Sequence, residues 1–107
     1  MARQIIETPI FTRQVKSLLT DEEYRNLQNE LISRPEGGDV IRGGGGLRKM
    51  GWSRSGRGKR GGVRVIYYWH SSHEKILMLF IYPKNVQDDL THEQLKVLKS
   101  LVEQELQ

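Results

Sequence analysis

VRVIYYWHSSHEKILMLFIYP, residues 63–83, is the stretch on which the fold turns. Residues 63–70 are β-branched and aromatic and read as a strand. Residues 75–82 are almost wholly apolar; helical periodicity is conceivable there, but the apolar run spans only seven residues, 76–82, before Pro83, which favours a second strand. Only SSHE separates the two, so they are expected to form an antiparallel hairpin at the centre of a sheet. Strand alternation then puts Val63, Val65, Tyr67 and Trp69 on one face and Arg64, Ile66, Tyr68 and His70 on the other. If the valines pack under helices, Arg64 faces away from them. Tyr82 and Lys84 share parity at the end of the next strand, which implies a basic, tyrosine-bearing open face.

Upstream, residues 3–7 make a short β-branched stretch closed by Pro9, an edge-strand candidate, and a helix is expected over residues 12–19. Thr20 opens TDEEYRNLQNEL, where Thr20 and Glu23 have capping-box spacing and Tyr24, Leu27 and Leu31 repeat on one face; Pro35 and Gly37 end this helix. Residues 39–42 and 47–53 are short strand candidates separated by four glycines. Downstream, Thr91 and Gln94 repeat the capping spacing ahead of the stripe Leu95, Leu98, Leu101, Val102 and Leu106. The expected fold is α+β: a small antiparallel sheet, two N-terminal helices packed on one face, and a C-terminal helix, all in one domain over residues 1–107.

Charge is unevenly placed on this frame. Of 17 Lys and Arg, eight fall in residues 40–73 with none of the 13 Asp and Glu, so that window carries +8 and the remainder, 9 basic against 13 acidic, carries −4. All 11 glycines lie between residues 37 and 62. A glycine-rich cationic middle between acidic ends points to a polyanionic partner. With no cysteine, disulfide scaffolds, thiolate zinc sites, Fe–S clusters and cysteine nucleophiles are excluded. The start MARQIIETPIFTRQ has no signal-peptide pattern, and no apolar run approaches the roughly 20 residues of a membrane-spanning helix; a soluble, cytoplasmic chain without membrane association is expected.

The loop SRSGRGKRGG fails as a phosphate loop, because Gly58-Lys59 is followed by Arg60 where a Walker motif needs Ser or Thr to hold magnesium. A dinucleotide fingerprint fails too, since a strand rather than a helix follows. A solvated RGG-like arm fits poorly with flanking strands and with Leu47, Met50 and Trp52 interrupting the segment. A basic hairpin loop over a folded sheet fits better, with Arg and Lys neutralising phosphates and Trp52, Tyr67, Tyr68 and Trp69 available for stacking, although core packing is the commoner use of strand aromatics. His70 and His73 have H-x-x-H spacing, but two turn imidazoles with only Glu74 nearby do not make a metal site, and none is expected.

The order of these features resembles the RelE/HigB superfamily of toxin–antitoxin modules and, within it, the HigB-type subgroup. The resemblance rests on Leu47-Arg48-Lys49, the Gly-Lys-Arg-Gly-Gly loop at 58–62, the Arg64-x-Ile66-Tyr67-Tyr68 strand, the ending Ile81-Tyr82-x-Lys84-Asn85, the acidic pair at 88–89 with Leu90, and the last helix. It implies a ribosome-dependent endoribonuclease that cleaves translated mRNA in the A site, without metal or other cofactor, by attack of the 2′-hydroxyl on the adjacent phosphate. It also implies a cognate antitoxin, a HigA-type helix-turn-helix protein through which alone operator DNA is contacted. Carried onto this sequence, Arg64 stabilises the phosphorane, Lys84 comes second, Lys59, Lys49 and Lys84 compete as base, and Tyr82 or Tyr68 orients the 2′-hydroxyl or leaving group. Arg48, Lys49, Arg57 and Arg60, with Trp52 and Tyr68, hold message or ribosomal RNA. The C-terminal tyrosine of RelE has no counterpart, since residues 85–107 contain none. Two other functions are compatible with the same residues: a non-catalytic RNA- or ribosome-binding protein, and a ParE-like gyrase inhibitor.

Overall fold

Residues 3–54 and 62–106 are described by the structure, a computed structural model. In chain order the elements are β1 (Gln4–Glu7), α1 (Pro9–Leu18), α2 (Asp21–Ser33), β2 (Asp39–Val40), β3 (Leu47–Trp52), β4 (Val63–His70), β5 (Lys75–Pro83) and α3 (His92–Glu105). The five strands form one sheet in the order β1-β5-β4-β3-β2. The β4–β5 hairpin is central, as its sequence requires, and reverses through a 3-10 turn at Ser71–His73 that ends with Glu74 in the left-handed region at φ 52°. The sheet is antiparallel except at one edge, where β1 runs parallel to β5 with Gln4 opposite Lys75 and Glu7 opposite Met78.

Local signals set the helices. Thr20 and Glu23 form the expected reciprocal capping box, Glu23 N donating to Thr20 Oγ1 at 3.1 Å and Thr20 N to Glu23 Oε1 at 2.8 Å. Thr91 and Gln94 repeat it at α3, with distances of 3.1 and 3.0 Å. Helix α1 begins earlier than expected: Pro9 opens the helix at its first turn instead of merely closing the strand, and Thr8 caps it by accepting from Phe11 N.

Two cores flank the sheet. On one face Val63, Val65, Tyr67, Ile76, Met78 and Ile81 pack against Phe11, Val15 and Leu19 from the α1 segment and Leu27 and Leu31 of α2. On the other, Leu47, Ile66, Leu77, Leu79 and Tyr82 pack beneath Leu98 and Val102 of α3. This explains why β5 reads as apolar at nearly every position. It also corrects the expectation of an open second face, much of which α3 covers. A bulge adjusts the fit: Ile66 is opposite Phe80 and Tyr67 is opposite Met78, so Leu79 is extra and both Leu79 and Phe80 join the α3 core.

The 35–38 turn is fastened to the sheet centre. Buried Tyr67 accepts from Gly38 N and donates to Pro35 O, both at 2.8 Å. A Cβ at Gly38 would sit 2.8 Å from the Tyr67 hydroxyl, so only glycine allows this approach. Among the described residues no helix is long and apolar enough to cross a membrane.

Candidate functional site

Across β3, β4 and β5 the register places Gly51, Arg64 and Tyr82 in one row, with Lys49 opposite Ile66 in the next row on the same face. Arg64 is half-buried and Tyr82 is only 4% exposed. Arg64 Nε and the Tyr82 hydroxyl are both buried and have no hydrogen-bond partner among the described residues. Groups of this kind are costly to leave unmade, and two in one row are a feature of this face that packing alone does not account for. Burial raises the Tyr82 pKa, the Arg64 charge opposes that rise, and Asp89 and Asp88 add to it. Tyr82 is therefore a neutral phenol near neutral pH, a proton donor and not a phenolate base.

Lys84 reaches the same row. A Cβ at Gly51 would lie 2.6 Å from Lys84 Nζ, and one at Gly62 would lie 3.2 Å from Lys84 Cδ. Two glycines thus clear the path by which an ammonium from beyond β5 comes to rest over the residue paired with Arg64. Arg64, Tyr82, Lys84 and Lys49, all expected from sequence, share one face.

Other expected residues lie elsewhere. Arg48 alternates to the opposite face, where its Nη1 donates to the carbonyl oxygens of Gly38 at 2.9 Å and Glu36 at 3.2 Å; it braces the 35–38 turn. Trp52 packs on the α1–α2 core. Tyr68 shares the Arg64 face but is packed into the α3 core, with its ring edge 2.8 Å from where a Gly46 Cβ would be. Arg57, Lys59 and Arg60 lie outside the described residues. At the far end of β4, His70 Nε2 and His73 Nδ1 are 3.1 Å apart, with Ser72 Oγ within 3.2 Å of both. No cluster of three or more His, Cys, Asp or Glu suited to a metal ion occurs among the described residues.

Sequence reasoning missed an acid. Lys49 Nζ lies 3.2 Å from Asp89 Oδ1, so the segment ahead of α3 brings a carboxylate onto a face that the sequence presents as wholly cationic. The acidic pair at 88–89 was the available signal, but nothing local indicates that it returns to a strand 40 residues earlier in the chain. Lys49, one of the three lysines expected to compete as base, is held by an acid.

With this geometry in place, two likenesses gain meaning. A family model described as RelE toxin of the RelE/RelB toxin–antitoxin system matches residues 3–107. The fold is similar to that of a mutant of E. coli toxin RelE in the free state, with TM-score 0.58 and 15% sequence identity over 82% of this chain and 90% of that chain.

Proposed function

Because the chain belongs to the RelE family of toxins of toxin–antitoxin systems, we propose that it is a HigB-type, metal-independent endoribonuclease that cuts translated mRNA in the ribosomal A site. The observation that supports this most directly is the pair of unpartnered buried donors, Arg64 Nε and Tyr82 Oη, beside the ammonium of Lys84.

The reaction needs a base for the 2′-hydroxyl proton, charge stabilisation at phosphorus, and a proton for the 5′-oxygen. The 2′-oxygen forms a bond to phosphorus as the bond to the 5′-oxygen breaks, leaving a cyclic phosphate and a 5′-hydroxyl. In this reading Arg64 binds the phosphorane oxygens, and Lys84 adds a second charge beside it. Tyr82, neutral and buried, donates toward the departing 5′-oxygen. Lys49 is engaged by Asp89 and positions the message, which leaves as base Lys59, or Lys84 entering as the neutral amine and becoming the second charge as it takes the 2′-hydroxyl proton. Arg57 and Arg60, with the rim of the face, hold message or ribosomal RNA.

A toxin of this family has an antitoxin partner, here proposed to be a HigA-type helix-turn-helix protein that also mediates contact with operator DNA. Residues 1–107 are proposed to form one toxin domain acting in the cytoplasm. Induction in growing cells followed by mapping of mRNA 5′ ends tests the reading: new 5′-hydroxyl ends within translated codons are expected, and in purified ribosome complexes they persist in EDTA at a magnesium level sufficient only for ribosome integrity. Growth arrest with intact message and DNA breaks would instead identify a gyrase poison. Ribosome binding without new ends would identify a non-catalytic binder.

A further inference from the structure

Next to the cationic row is a recess that phosphate chemistry does not use. It is a groove of about 440 Å³ lined by Ile66, Tyr82, Ile41 and Leu95, with Asp89 set among the cations Arg42 and Lys49. Ile66 and Tyr82 are buried at its floor, whereas Val40 is 59% exposed at the rim. The cations suit a sugar–phosphate chain, but such a chain has no use for the apolar recess or for the carboxylate among them. A nucleobase answers both features, having apolar faces for Ile66 and Leu95 and a polar edge for Asp89.

We propose that this groove is a nucleobase subsite that takes the base next to the phosphate held by Arg64, and that Asp89 selects bases bearing an exocyclic amino group. The placement of the phosphate rests on the nuclease reading above; the groove itself does not. Tyr82 links the two regions, because its ring forms part of the groove floor while its hydroxyl is unpartnered beside Arg64. Lys49 fixes Asp89 through Oδ1 at 3.2 Å, which orients the carboxylate as an acceptor. Adenine, cytosine and guanine present an amino donor to such an acceptor, whereas the polar edge of uracil presents carbonyl oxygens on either side of its single N–H.

The test uses the isotopically labelled full chain titrated separately with AMP, CMP, GMP, UMP and inorganic phosphate, followed by amide chemical shifts. The three amino-bearing nucleotides are expected to move Val40, Ile41, Asp89 and Leu95, with UMP binding about tenfold more weakly. Inorganic phosphate is expected to move only the neighbours of Arg64 and Lys84. Asp89→Asn, at a side chain 70% exposed, keeps the fold and closes the gap between UMP and the others. The proposal is overturned if nucleotides move only what phosphate moves, or if Asp89→Asn leaves the discrimination intact. Message cut in cells while the groove stays silent to nucleotides sinks the subsite and leaves the nuclease standing. Nucleotides filling the groove of a chain that cuts nothing sustains the subsite and sinks the nuclease.

Discussion

Two tyrosines on opposite faces of neighbouring strands show how differently one hydroxyl can be used. Tyr67 is fully buried, and its hydroxyl is satisfied twice, by Gly38 N and Pro35 O. Tyr82 is nearly as buried, and its hydroxyl has no partner among the described residues. Tyr67→Phe strands a buried donor and acceptor and is expected to cost about 1–3 kcal/mol in urea denaturation. Tyr82→Phe removes an unsatisfied group, so stability is expected to stay level or rise by about 1 kcal/mol while message cleavage falls. If Tyr82→Phe destabilises as much as Tyr67→Phe, Tyr82 is structural and its donor role is lost. Arg64 follows the Tyr82 pattern, because its Nε makes no bond that the fold would lose. Arg64→Ala is expected to reduce cleavage by about 100- to 1,000-fold and abolish growth arrest while the protein stays folded. Continued arrest by that variant would remove Arg64 from the mechanism.

At the scale of elements, legibility followed locality. The hairpin, the two capping boxes and the alternation that separates Arg64 from Val63 and Val65 are all encoded within a few residues, and the structure has them where the sequence puts them. The parallel pairing of β1, the bulge at Leu79 and the docking of α3 depend on partners in other elements, and no local pattern states them. Arg48 and Lys49 illustrate the limit: adjacent in sequence and grouped as one basic pair, they point to opposite faces, one bracing a turn and one meeting Asp89. The hairpin turn carries a pH response of its own. Desolvation, with the charges of His73 and Lys75, holds the His70 pKa below its ordinary 6.5. The folded chain thus prefers neutral His70, and on acidification the unfolded chain takes the proton first. The contribution is complete above the unfolded pKa and is lost as pH falls through the lower folded value. Imidazole resonances should show His70 titrating below 6.5, and His70→Asn should flatten the acid-side slope of stability; titration above 6.5 would contradict the arrangement of the turn.

For the whole molecule, the described cations of the +8 window do not gather into a single patch, because the sheet divides them. Lys49 and Arg64 go to the α3 face, where Lys84, from outside the window, joins them. Arg48 goes to the other face and spends its guanidinium on backbone carbonyls. Net charge therefore overstates what a nucleic acid meets, and the face on which a cation lies decides whether it contributes to binding. Counterion release makes this measurable, since each cation that neutralises a phosphate of single-stranded RNA adds about 0.7 to the slope of log affinity against log salt. For a short single-stranded RNA, Lys84→Met is expected to lower the slope by about that amount. Arg48→Met removes the same formal charge but is expected to leave the slope unchanged and to appear as lost stability, because the carbonyls of Glu36 and Gly38 lose their donor. Equal changes in slope from the two variants would mean that the protein acts on RNA as an undivided cloud of charge, and the division of the window by strand alternation would have no functional consequence.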